Sequence, residues 1–284
     1  MNVTAAPVSP AKPDRDRFLA LSFCWADLLF EMDETGKLTF ATGATGPFLG
    51  KSANDLPGTN FSDLFVPEEQ PDVQMFLRGV TQRGRHDTDI LKIKRSHGLP
   101  LPVMAAGYCL GNNFYVALRL RSTNPNLATD RVSRNDKTGL INHEAFSEAA
   151  SQRIKQLAEM GQKTGVSVLS LEGLSDLKGR LSGPVADHLL ARVGETLRAN
   201  AVDGDSATQI GDDKFTLVHQ ASLDLAELTS QIQELAKSAD PKGAGVKVDS
   251  ASLNMEGAES LSQEDMAKGL LYAMTNFQRE AGQG

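Results

Sequence analysis

The stretch STNPNLATDRVSRND, residues 122–136, constrains the fold more than any other part of the sequence. It is polar, contains an Asn-Pro step, and has no apolar residues spaced for one face of a helix or strand, so it marks a boundary. Residues 123–134 are therefore read as a linker, and the regions on either side must each build a core. With 284 residues, 40% of them apolar, the chain has enough material for two domains.

Composition removes several classes of function. A net charge of -7 gives no basic footprint for nucleic acid or for an anionic membrane, so neither is expected as a partner. Cys24 and Cys109 are the only cysteines and lie far apart, too few for a disulfide framework, which fits a reducing compartment. The opening MNVTAAPVSPAKPDRDR lacks the continuous apolar core of a signal peptide. The most apolar window, FLALSFCWADLLFEM, is short for a membrane span and carries Asp27. A cytoplasmic protein is expected.

Residues 1–14 are Pro- and Ala-rich and read as a disordered tail. Residues 15–122 then give helical spacing running into a strand (DLLFEMD), a turn at Glu34-Thr35-Gly36 and a second strand (KLTFATG). Short Gly-, Asn- and Asp-rich segments follow, then a long helix (EEQPDVQMFLRGVTQRG) and three strands (HDTDILKIKR, PLPVMAAGYCL, NFYVALRLR) with turns at Ser96-His97-Gly98 and Gly111-Asn112-Asn113. In the first segment Phe18, Leu19, Leu21 and Trp25 have two readings: a face that packs against its copy in a homodimer, or core packing within one subunit.

Residues 135–284 alternate helices (from HEAFSEAA, PVADHLLA, ASLDLAEL and QEDMAKGL) with strands (GVSVLSLEG, GVKVDSASL) and one hairpin, TQIGDDKFTLV, which argues for a helix-covered sheet. The hairpin tip is Gly211-Asp212-Asp213-Lys214, followed by Phe215. Two carboxylates and a lysine there either form a site for metal and phosphates or a solvated turn.

The order of elements, with phrases such as ETGKLTFATG and LPGTNFSDLF, resembles a PAS domain over residues 15–122. NDKTGLINHEAF, GDDKF and AKGLLYAM resemble three landmarks of a GGDEF domain, so residues 135–284 are similar to that family. The resemblance implies an α+β fold class: a PAS-like antiparallel sheet domain and a GGDEF-like mixed central sheet flanked by helices. Active GGDEF domains are diguanylate cyclases, which join two GTP molecules into cyclic di-GMP with the help of a divalent ion.

The same comparison implies a degenerate site. The first metal-ligand position is Ser170, whose neutral hydroxyl is a weaker magnesium ligand than a carboxylate, while Asp213 keeps the second. Asp212 adds charge where phosphates would meet bare backbone, and Lys214 reverses a charge. Lys178 stands at one guanine-reading position and Asp187 at the other; Asp187 either reads a guanine edge or interacts with its helix dipole. The product-inhibition motif reads Val202-Asp203-Gly204-Asp205, without its arginine. The nucleotide-binding candidates are thus Asp187, Lys178 and Asp213, with Mg2+ and GTP as the implied ligands and Asp213 as the metal position.

No residues suit a photoreactive flavin, and His86 and His97 fall at a strand start and a turn, where an exposed histidine is expected; Met75 and Phe76 are expected to pack the core. The PAS ligand is unidentified. His143, His188 and His219 are too scattered for a metal site. The expected function is a signalling module whose degenerate GGDEF domain regulates, with a downstream EAL phosphodiesterase domain as a partner outside this chain. The alternatives are a weak diguanylate cyclase and a dimerisation scaffold without nucleotide.

Overall fold

The computed structural model describes residues 22, 25–95, 99–121, 134–241, 243, 245–255 and 269. The tail, the positions Phe18, Leu19, Leu21 and Cys24, His97, most of the linker and the last helix lie outside the described residues.

The first domain runs β1 (Leu28–Met32), β2 (Leu38–Gly43), α1 (Thr45–Leu49), three short 3-10 turns, α2 (Gln70–Arg83), β3 (Arg85–Ile93), β4 (Leu101–Leu110) and β5 (Asn113–Leu120). Its sheet has the order β2-β1-β5-β4-β3, every pair antiparallel. The sequence of β1 explains its orientation: Leu28, Phe30 and Met32 are buried while Leu29 and Glu31 face outward at period two. The turn into β2 forms where Asp33 Oδ1 accepts from the backbone N–H of Thr35 and Lys37, with Gly36 at φ 81.

On α2, Val73, Phe76 and Val80 share the buried face. With Phe30, Phe48, Phe61 and Phe65 they fill the space between helices and sheet, and Phe61 meets Phe30 and Phe65 edge-on at 5.9 and 5.0 Å. Phe76 packs this core as expected, but Met75 is exposed, because it lies one position off the buried stripe. His86 also departs from expectation. It is half-buried rather than exposed, its ring 5.9 Å from Phe76 and lying over Gly79, where a Cβ would meet it at 2.5 Å.

The second domain runs α3 (His143–Glu159), β6 (Thr164–Glu172), α4 (Leu174–Arg180), α5 (Gly183–Asn200), β7 (Ala207–Gln209), β8 (Lys214–Gln220), α6 (Leu225–Ala239) and β9 (Lys247–Asn254). Its strand order is β7-β8-β6-β9. Each ladder among the described strands is antiparallel, and the parallel component is the bridge between Ile141 and Thr208. β6 is buried along nearly its whole length because both of its faces are covered. Residues from α4, α5 and α6 cover one face, and Phe146, Ala150, Ile154 and Leu157 of α3 the other. α6 begins where Asp224 Oδ1 accepts from the N–H groups of Ala226 and Glu227. No helix among the described residues is long and apolar enough to cross a membrane.

Gly194 sits in the middle of α5 because the loop at Thr138 crosses there; a Cβ would lie 1.9 Å from the Thr138 carbonyl oxygen. This close approach seats the NDKTGL loop against the helix. On the side of the sheet covered by α5 and α6, the face it shares with Phe215 and Leu217, His219 is buried with both ring nitrogens engaged. Nδ1 donates to the Gln220 carbonyl at 2.7 Å, so Nε2 accepts from Ser167 Oγ, also at 2.7 Å. Burial holds its pKa below the ordinary imidazole range, only partly offset by the bond to Gln220.

The unfolded chain therefore binds a proton at His219 that the folded chain resists, and this contribution to stability is lost as pH falls through the ordinary imidazole range. Urea titrations at pH 7.5 and 5.5 are expected to show a loss at the lower pH that is smaller in His219→Gln. An identical loss in both proteins would remove this assignment.

Candidate functional site

The hairpin expected from the sequence forms, with β7 and β8 joined through Ile210, Gly211, Asp212 and Asp213. Main-chain bonds fix the tip: Ile210 N–H donates to Lys214 O at 2.9 Å, and Leu171 N–H of β6 donates to Asp213 O at 2.8 Å. Gln209 Nε2 donates to Gly211 O at 2.8 Å, and Asn135 Nδ2 holds the Gln209 side chain at 3.2 Å. The NDKTGL loop thus braces the hairpin.

Register brings Ser170 and Lys214 together and adds three residues that the sequence did not disclose. Ser170 pairs with Lys214 on β8 and with Asp249 on β9, while Glu172 pairs with Lys247. Paired residues share a face, so Ser170, Glu172, Lys214, Lys247 and Asp249 line one patch. Lys247 Nζ lies 2.8 Å from Asp249 and 3.6 Å from Glu172, and its pKa is raised, first by the hydrogen bond to Asp249 and then by the two charges. The two carboxylates that strand pairing adds therefore share one resident ammonium.

Lys178 Nζ donates to the Asp212 carbonyl at 3.5 Å and closes the tip from the side of α4. Asp187 lies beyond the first turn of α5, which holds no acidic residue, so the helix-dipole reading fails, and its carboxylate is 2.9 Å from Lys137 Nζ, with both side chains at least half exposed. Such a pair contributes little stability, but it gives Asp187 a cation from the NDKTGL loop. Phe215 is buried below the tip. Among the described residues no three His, Cys, Asp or Glu side chains are grouped to hold a metal. With Ser170 and Lys214 flanking Asp213, the donor set does not fit a magnesium centre built on two free carboxylates.

A second constellation joins the two domains beside this hairpin. Arg198, in the last turn of α5, has its guanidinium 3.4 Å from Asp27 of the first domain and 3.9 Å from Asp205, and donates to Gly204 O at 3.2 Å. Asp27 also accepts from Leu120 N–H at 2.7 Å, and Asp205 accepts from Arg134 at 3.0 Å. Burial alone would lower the pKa of Arg198, yet Asp27, Asp205 and Glu195 outweigh it and leave that pKa raised.

Arg95 of the first domain donates to the carbonyls of Ala199 and Ala201, capping the C-terminal end of α5. Burial, partly offset by Asp203, pushes its pKa down to about 10. Gly204 has φ 77, and a Cβ there would lie 2.2 Å from Leu120. The Val202-Asp203-Gly204-Asp205 loop, which the sequence marked only by its missing arginine, is thus the seat of the first domain. Asp203 is buried within it, accepting from Asp205 N–H and Ser206 Oγ, and burial raises its pKa.

The described residues thus form two α+β domains, the first built on a five-stranded antiparallel sheet with its helices inserted between β2 and β3. Residues 133–267 match the family model described as diguanylate cyclase, GGDEF domain, and that stretch of the chain is a GGDEF domain.

Among solved structures, the chain is similar to a microbial GGDEF domain studied for its interaction with bis-(3,5)-cyclic di-GMP, at 19% identity, TM-score 0.39, covering 52% of this chain and 93% of that one. It is similar to the GGDEF domain of DgcB from Caulobacter crescentus in complex with c-di-GMP, at 13% identity, TM-score 0.36, covering 52% and 88%. The PAS-B domain of Drosophila melanogaster Cycle with bound ethylene glycol matches at 13% identity, TM-score 0.31, covering 33% of this chain and 98% of that one. No curated protein matches the sequence.

If a missing carboxylate and a misplaced lysine are what keep metal from the tip, Ser170→Asp combined with Lys214→Glu should bind Mn2+ at least about tenfold more tightly than the native chain, read by electron paramagnetic resonance. Equal binding by both proteins would mean that another feature of the tip excludes the ion.

Proposed function

We propose that this chain is a signalling module of the cyclic di-GMP network in which the PAS-like domain sets the state of a GGDEF domain that does not itself cyclise GTP. The observation that carries the reading is the Asp27–Arg198–Asp205 chain, which links the start of β1 to the loop leading into the signature hairpin. A shift of the PAS-like domain must be felt there, because Arg198 and Arg95 leave their partners unpaired if the domains part.

The tip supports a regulatory role over a catalytic one. Ser170 in place of a carboxylate, Lys214 beside Asp213, and Lys247 on Glu172 and Asp249 all weigh against the charge arrangement that a metal-dependent cyclisation needs. GTP remains the proposed nucleotide ligand, with Lys178, Asp187 and Asp213 as its contacts. An EAL phosphodiesterase domain is the proposed output, and a ligand for the PAS-like domain the proposed input.

Incubation of the purified chain with GTP and Mg2+, followed by chromatography for cyclic di-GMP, is expected to give no product above an Asp213→Ala control. Product formed at a rate that Asp213→Ala abolishes would replace the regulatory reading with a cyclase.

A further inference from the structure

A cleft of about 890 Å3 lies between the two domains, large enough for a small organic molecule. Residues of α1 and the turn that follows it line it from the PAS-like domain, and residues of α5 and α6 line it from the GGDEF domain. Neither the loop at 202–205 nor the hairpin tip contributes to it, so it is separate from the candidate nucleotide site.

Arg95 lines this cleft, and its charge is incompletely matched. Nε donates to the Leu99 carbonyl and Nη1 to the carbonyls of Ala199 and Ala201, but among the described residues Nη2 has no hydrogen-bond partner and no carboxylate forms an ion pair with the group. Arg198, by contrast, is met by both Asp27 and Asp205. Carbonyl oxygens satisfy donors without supplying a counter-charge, and the pKa of Arg95, pushed down to about 10 by burial and only partly restored by Asp203, reflects the shortfall. Lys51, exposed just past α1, adds a second cation that has no acidic partner among the described residues.

Helix α6 presents the opposite chemistry. Glu227, Gln231 and Glu234 follow one another at four and three residues, a stripe beside the buried Leu228 and Ile232. Glu227 accepts from Gln231 at 3.3 Å, and Glu234 has no partner among the described residues. The two carboxylates stand about 10 Å apart along the helix. They repel a bare anion but accept from a ligand that also carries hydroxyl groups. No aromatic side chain lines the cleft, so a nucleobase would find nothing to stack on.

We propose that this cleft binds a small polyhydroxylated anion, a sugar phosphate or a sugar acid, with its charged group on Arg95 Nη2 and Lys51 and its hydroxyls donating to Glu227 and Glu234. Phosphate and carboxylate oxygens both suit a guanidinium with unused donors. The ligand takes contacts from both domains, so its binding favours the docked arrangement that Arg198 holds. The cleft is thereby an input distinct from any ligand inside the PAS-like domain.

Isothermal titration calorimetry of the full chain with ribose 5-phosphate and with gluconate tests this, with ribose and inorganic phosphate as controls. At least one of the two polyhydroxylated anions should bind saturably and about tenfold or more tighter than either control. Which of them binds distinguishes a phosphate from a carboxylate ligand. Lys51→Glu and Glu234→Lys, both at exposed positions, should each weaken that binding about tenfold or more, whereas Asp213→Ala at the hairpin tip should leave it unchanged. Circular dichroism of each variant guards against misfolding. Binding of neither anion, inorganic phosphate bound as tightly as ribose 5-phosphate, or binding that both charge reversals leave intact overturns the proposal. Binding lost in Asp213→Ala would move the ligand to the hairpin and overturn it as well.

Discussion

Arg198 is the constraint on which the arrangement of this protein depends. Its guanidinium sits between a carboxylate of the PAS-like domain and one of the GGDEF domain, with little access to water. A buried cation is tolerable only when its partners stay in place, and removing one partner of such a group costs about 3–5 kcal/mol. That magnitude exceeds what an exposed ion pair contributes, so this residue, and not the surface pairs at Lys137 or Arg85, decides whether the two domains move together.

The junction recruits neighbours that reinforce it. Arg95 supplies the donors that the last carbonyls of α5 lack, so one helix end is completed by the other domain. Ala199 is counted in the hydrophobic core of the PAS-like domain although it belongs to α5, and Leu99 packs against the α3 side of the GGDEF core. The absence of a side chain at Gly204 admits Leu120. Polar and apolar contacts thus converge on the segment from Arg198 to Asp205, which leaves the signature hairpin downstream of the joint.

Much of the fold was legible in the sequence because it is written in local periods. The alternation in LLFEM, the spacing of Val73, Phe76 and Val80, and the apolar arms of the GDDK turn each specify their element without reference to distant residues. Helix α4 was passed over as an element because it is only seven residues long and opens on a left-handed glycine, Gly173. At the site, Ser170, Lys178, Asp213 and Lys214 gather at the hairpin as their motif positions implied. Lys247 and Asp249 were not foreseeable, since only the register of β9 against β6 puts them beside Ser170. The junction was still less visible: Asp27 and Arg198 are 171 positions apart, and within their own segments each looks like a solvated charge. Pairings of that kind carry no periodic signal.

Scanning calorimetry of the native chain beside Arg198→Met tests this account most directly. It predicts that the native protein unfolds in one transition, because neither domain can melt without exposing the partners of Arg198 and Arg95. Arg198→Met, which keeps the length of the side chain and removes the charge, should unfold in two resolved transitions, one for each domain. A native protein that already melts in two steps, or a variant that keeps a single transition at the native temperature, would contradict the claim that this arginine couples the PAS-like domain to the GGDEF domain.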